Sequence, residues 1–145
     1  MADMVYNYAK AKLLSGDIDL DADDIRVLLV MTNSTCDTED DCDFIDQFTT
    51  LDEMDGANYV RKALAGEAVA VDLPNNRGEF DAENVTWTAL GVGTRQVLGA
   101  VLYKHVTNDA DSIPIAYIDS GGFPFDANGG DVTITWNDEG ILQAT

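Results

Sequence analysis

Hydrophobic and polar positions alternate with a period of two through much of the second half of this chain. "DVTITWN" (131–137) places Val132, Ile134 and Trp136 on one face and Thr133, Thr135 and Asn137 on the other, the pattern of a half-buried strand. "EAVAVDL" (67–73) sets Val69, Val71 and Leu73 against smaller or polar neighbours and predicts another. "QVLGAVLYKHV" (96–106) and "IPIAYIDS" (113–120) are longer apolar runs on either side of the polar "TNDADS", which predicts an antiparallel hairpin. "IRVLLVMT" (25–32) is apolar except for Arg26 and reads as a central or well-covered strand. "VTWTAL" (85–90) and the final "ILQAT" complete the β-rich segments, while "PNNRGEFDAEN" (74–84) carries turn chemistry and "VRKALAG" suits either state.

Helical spacing occurs in two places. Residues 4–15 bring Val5, Tyr8, Ala9, Lys12 and Leu13 near one helical face, and Gly16 follows as a C-terminal stop. Within the acidic stretch 33–58, Phe44, Ile45, Phe48, Leu51 and Met54 are spaced as a helix or helical turns would space them. Those apolar anchors predict an ordered excursion with an acidic outer face. Together the pattern predicts a mainly β, single-domain protein over residues 1–145. Its expected form is an antiparallel β-sandwich, jelly-roll-like, with a short N-terminal helix and one or two short helical excursions.

Charge changes the picture. Twenty-seven acids against eight bases give a formal net charge of −19 and a pI near 4.1. Such a surface repels phosphate backbones and anionic membranes, so neither nucleic acid nor membrane is an expected partner. It favours solubility and steering toward a basic surface. No apolar run approaches the ~20 residues of a membrane span, and "MADMVYNYAKAKLLSG" lacks the apolar core of a signal peptide. Synthesis and retention in a cytoplasm are therefore expected, with Cys36 and Cys42 as free thiols; spacing alone leaves a small disulfide loop between them open.

The motifs that carry chemistry are incomplete. "DIDLDADD" (17–24) opens like a calcium loop, but a register from Asp17 puts Ala22 and Leu28 where the loop needs Gly and Glu. A register from Asp19 puts Asp24 and Val30 there. It reads as a solvated turn into the following strand. "CDTEDDCD" (36–43) has two cysteines and no neighbouring histidine, too few soft ligands for zinc. His105 is the only histidine and lies on an expected strand, with no nucleophile elbow anywhere. "GVGTRQ" lacks the third glycine of a dinucleotide loop. No catalytic, cofactor-binding or metal-binding residue is expected, and no enzyme. "SGGFPFDANGG" (120–130) is a glycine-rich hairpin loop whose Phe123, Pro124 and Phe125 would serve as rigid contact points on a partner.

From "VTW" to the C-terminus the chain resembles a group of small structural proteins of tailed bacteriophages. The resemblance rests on "VTW", "VLYK", "PIAYID", the Gly-rich loop and "TITWNDEGIL", and on "LLSG", "IDL" and "DDIRVLLV" near the N-terminus. The acidic stretch 33–58 matches least. These are strand-and-turn patterns, so they transfer architecture better than role. The resemblance implies a virion protein on the capsid exterior, made in the host cytoplasm. The role it implies is that of a decoration or cement protein that binds the major capsid protein in many copies, as a homodimer or homotrimer. It brings no active-site residues with it. Tyr6, Tyr8, Phe123, Pro124 and Phe125 are the expected contacts, together with the acidic excursion. Another virion role (tail, neck or head-fibre base) and a calcium-dependent carbohydrate-binding sandwich are the alternatives.

Overall fold

The computed structural model describes residues 2–145, and the chain is mainly β with antiparallel pairing throughout. Its centre is a five-stranded sheet built from β1 (Met4–Val5), β2 (Ile25–Met31), β3 (Lys62–Ala63), β7 (Val97–Lys104) and β8 (Ile113–Ile118) in the order β1-β8-β7-β2-β3. A three-stranded sheet has the order β10-β5-β4, from β4 (Ala68–Asp72), β5 (Arg77–Asp81) and β10 (Leu142–Ala144). A two-stranded ribbon pairs β6 (Val85–Trp87) with β9 (Val132–Ile134). These pairings make the sandwich-like class plain and do not establish a jelly-roll connectivity.

The apolar run of β2 behaves as a covered strand should. Every residue from Val27 to Met31 is buried, and Arg26, half-buried, turns to Asp24 in an ion pair. β7 lies along one side of β2 from Ile25↔Lys104 to Met31↔Val97. The other side is shared: β3 covers one end, while residues 52–54 cover the other. There Met31 N–H donates to the Asp52 carbonyl and Met54 N–H to the Leu29 carbonyl. The expected hairpin across "TNDADS" is β7–β8.

The helix α1 spans Asn7–Ser15 and ends at Gly16, whose φ of 79° lets its N–H reach back to the last-turn carbonyls of Leu13 and Lys12. Only Ala9 is fully buried on it, and Tyr8, Lys12 and Leu13 are half-buried. Val5 belongs to β1, not to the helix. α1 lies over β8.

The acidic stretch is ordered but hardly helical: a single 3-10 turn, Ile45–Gln47. Its anchors do what their spacing predicted, since Ile45, Phe48 and Met54 are buried. Short polar side chains take the backbone bonds that a helix would need. Thr35 N–H donates to the Thr50 carbonyl, the Thr50 N–H to Thr35 Oγ1, and the Thr49 N–H to Glu39. A second correction concerns "RGEFD", expected within a turn and found as β5. Only Leu73–Asn76 forms the turn, where the Asp72 carboxylate accepts the Asn75 N–H and Asn76 adopts φ 53°. Gly78 and Glu79 disguise a strand whose position is set by its pairing with β4 and β10.

Candidate functional site

Two surface regions stand out, and only one was expected. The expected one is the loop 119–131. Its middle is pinned to the start of β7, where Phe125 and Val97 exchange both backbone hydrogen bonds, at 2.9 and 3.0 Å. Phe123 and Phe125 are half-buried with ring centroids 5.6 Å apart, and Pro124 between them is exposed. Beside them lies a concavity of about 300 Å³ rimmed by Asp126, Asn128 and Asp131. Those three side chains are engaged within the chain. Asp126 accepts from Gln96 Nε2, Asn128 from the Gly130 N–H and Asp131 from the Ala89 N–H.

The N-terminal tyrosines separate. Tyr8 is half-buried, edge-on to Phe44 and under the Lys12 ammonium. Tyr6 is a correction: it is fully buried, so it is no surface contact. Its ring packs on Phe48, and its hydroxyl donates to the Cys36 carbonyl at 2.7 Å. Burial pushes its ionisation far above the usual tyrosine range. Asn7 beside it donates through its N–H to the Asp40 carbonyl and through Nδ2 to Asp41. Tyr6 thus clamps the acidic excursion to the core.

The second region lies on the small sheet. Because directly paired residues share a face, the pairings Val69↔Phe80↔Leu142 and Val71↔Gly78↔Ala144 put all of these on one side. Ala68, Ala70 and Asp72 point to the other, where Arg77 pairs with Asp72, Glu79 and Glu139. The alternation of "EAVAVDL" is therefore real, but its apolar face is not covered. Val69, Val71 and Leu73 are 56%, 74% and 77% exposed. Val69, Phe80 and Leu142 of this face form, with Leu13, Leu14 and Leu20 from α1 and its following turn, a groove of about 610 Å³, while Val71 and Leu73 lie outside it. Gly78 deepens its floor, since a Cβ there would come no closer than 4.0 Å to any atom. Among the described residues the one charged side chain on the groove is Lys10, whose Nζ donates to Asn7; Glu79 borders it, but its carboxylate is held by Arg77 on the opposite face. The sequence signal for this region was present: the alternation itself, and Leu14 off the face that α1 buries.

The residues singled out for chemistry are spent on structure. In "DIDLDADD", Ile18 is buried, Asp23 and Asp17 receive Lys104 and Lys12, and Asp24 receives Arg26. Among the described residues no group of three or more His, Cys, Asp or Glu is placed to hold a metal ion. Cys36 and Cys42 are free thiols. Cys36 is buried, which pushes its thiol up to about 12, and Ser34 donates to its sulfur. His105 packs edge-on against Tyr103. A denser polar cluster holds the core instead. Arg61 forks between Glu53 and Asp109 over the Tyr103 ring, and Tyr59 donates to Glu53 while accepting from the Leu29 N–H.

No helix among the described residues is long and apolar enough to cross a membrane. Comparison with protein-family models, with curated proteins and with solved structures finds no match.

Proposed function

We propose that this chain is a bacteriophage capsid decoration protein. In this role it binds the major capsid protein on the outer shell in many copies and stabilises the shell by bridging neighbouring subunits, without catalysis. The observation that carries the reading is the open apolar face of the small sheet on a chain of net charge −19. An otherwise acidic, soluble surface that leaves Val69, Val71, Leu73 and Leu14 uncovered is built for contact. The resemblance of its strand-and-turn motifs to those of tailed-phage structural proteins is consistent with this reading, as are Phe123 and Pro124 at a pinned, exposed loop. Copies on a closed shell act together, so each interface needs to contribute little.

The test is cosedimentation with capsid shells that lack the protein, read as bound copies per shell. Saturation in the hundreds (order of magnitude for a shell lattice) is expected. Binding to neither immature nor expanded shells would sink the reading, and a handful of copies per particle would move it to the tail, neck or head-fibre base. The concavity beside Phe123 and Phe125 is the feature that favours a calcium-dependent carbohydrate site. Its polar rim is engaged internally, and a rise in the thermal midpoint at millimolar calcium would revive it.

A further inference from the structure

Free strand edges in this fold are short or blunted, with one exception. β1 and β3 end the large sheet with two residues each, the latter bearing Lys62. β10 ends the small sheet on one side with three residues. β4 ends it on the other with five, Ala68–Asp72, carrying neither Lys nor Pro and pairing with β5 without a register shift. The devices that keep edges from pairing, a short strand, a lysine, a proline or a bulge, are all missing from β4. Ala68, Val69, Ala70 and Val71 are exposed on both faces.

We infer that the β4 edge is a self-association surface, occupied by β4 of a second copy in antiparallel register about Ala70. That register pairs all five residues of each strand while keeping the apolar faces together. Val69 then faces Val71 of the second copy, so the two apolar faces join on one side of a continuous six-stranded sheet, whereas a one-residue slip would set valine against alanine across faces. Glu67 falls opposite Leu73 and Asp72 opposite Ala68, so no carboxylate meets a carboxylate. Charge selects the same place. Val60–Asp72 carries Arg61, already held by Glu53 and Asp109, with Lys62, Glu67 and Asp72, the last held by Arg77, and the groove beside it adds Lys10. Two chains of −19 approach here with less repulsion than at faces such as 36–59, which hold nine acids and no base. A basic partner would choose those acidic faces instead. The inference stands on the edge strand and does not depend on the capsid reading.

Sedimentation equilibrium from about 1 μM to 1 mM, the range for a small interface, tests it without any shell present. A dimer is expected that tightens as salt rises from about 20 mM to 1 M, because screening removes repulsion between like-charged copies. Val71→Lys should weaken it by about tenfold or more although it makes the chain less negative. Val92→Lys, at an equally exposed valine (74%) in the β6–β7 connection, should not. Val71 is itself 74% exposed, so the fold survives the change, and unaltered thermal midpoints will confirm that for both variants. In a Cys42→Ser background, Ala70→Cys should cross-link on oxidation, since facing Cα atoms ~4.5–5.5 Å apart are within disulfide reach. A chain that stays monomeric, a dimer indifferent to Val71→Lys, or a dimer in which Ala70→Cys stays unlinked would each overturn the inference. Loss of shell binding in a Val71→Lys chain that was monomeric all along would assign the face to the capsid protein.

Discussion

Replacing Tyr6 by Phe removes one oxygen and isolates what its hydroxyl contributes to the clamp. The hydroxyl donates to the Cys36 carbonyl at 2.7 Å inside a fully buried site. Its loss leaves that carbonyl without the Tyr6 donor while the ring still fills its place against Phe48. A buried polar group stripped of its partner costs about 1–3 kcal/mol. Taking about 2 kcal/mol, a chain of this size should lose about 6 °C of thermal midpoint. Tyr117→Phe is the internal control. Its hydroxyl is buried, lacks a protein partner and lies against Gly99, where a Cβ would come within 2.6 Å of it. Removing that oxygen costs no hydrogen bond to protein, so the variant should be neutral or stabilised by up to about 1 kcal/mol. Differential scanning calorimetry at micromolar concentration reads both changes. Equal midpoints for wild type and Tyr6→Phe would refute the clamp.

Arg61→Met should destabilise the fold by about 1–3 kcal/mol by leaving Glu53 and Asp109 without their shared cation, and urea unfolding measures it. Arg95 beside Asp52 holds that carboxyl below the usual range, so its contribution is fully present above about pH 4 and is lost as pH falls through the lowered folded-state value. Asp52→Asn should therefore be less stable than wild type at pH 7, with the difference shrinking as pH falls below about 4; a difference constant with pH would count against the pairing. With a maleimide at pH 8, Cys42 should label slowly in the native protein, and Cys36, buried with its thiol raised to about 12, only on unfolding. If encounter with a shell is steered by the −19 charge, association should slow as salt rises while dissociation changes less, and stopped-flow mixing at two ionic strengths distinguishes the two.

What the sequence disclosed and what it hid divide along one physical line. Period-two patterning reports that the two faces of a strand differ, and it located β4 and β9; unbroken apolar runs located β2, β7 and β8, which are buried on both faces. Ile134 and Trp136 are buried while Thr133, Thr135 and Asn137 are exposed, as their alternation predicted. Patterning does not report what lies across from the apolar face. Val69, Val71 and Leu73 carry the same signal as Ile134 and Trp136, yet they are mostly exposed, because no element among the described residues returns over β4. The same blindness misplaced Tyr6. A tyrosine reads as amphipathic in any sequence, and only the arrival of residues 36–48, distant along the chain, makes its pocket. A face that is patterned for burial and left uncovered within its own chain is where local and tertiary signals disagree, and such disagreement marks contact sites. In this molecule the disagreement is concentrated on the small sheet and not on the Phe123–Phe125 loop, whose rings are already half-buried and whose polar neighbours are engaged. If both are contacts they differ in kind: the loop offers a rigid, pre-positioned edge, while β4 offers a row of backbone donors and acceptors that another strand can pair in place of water.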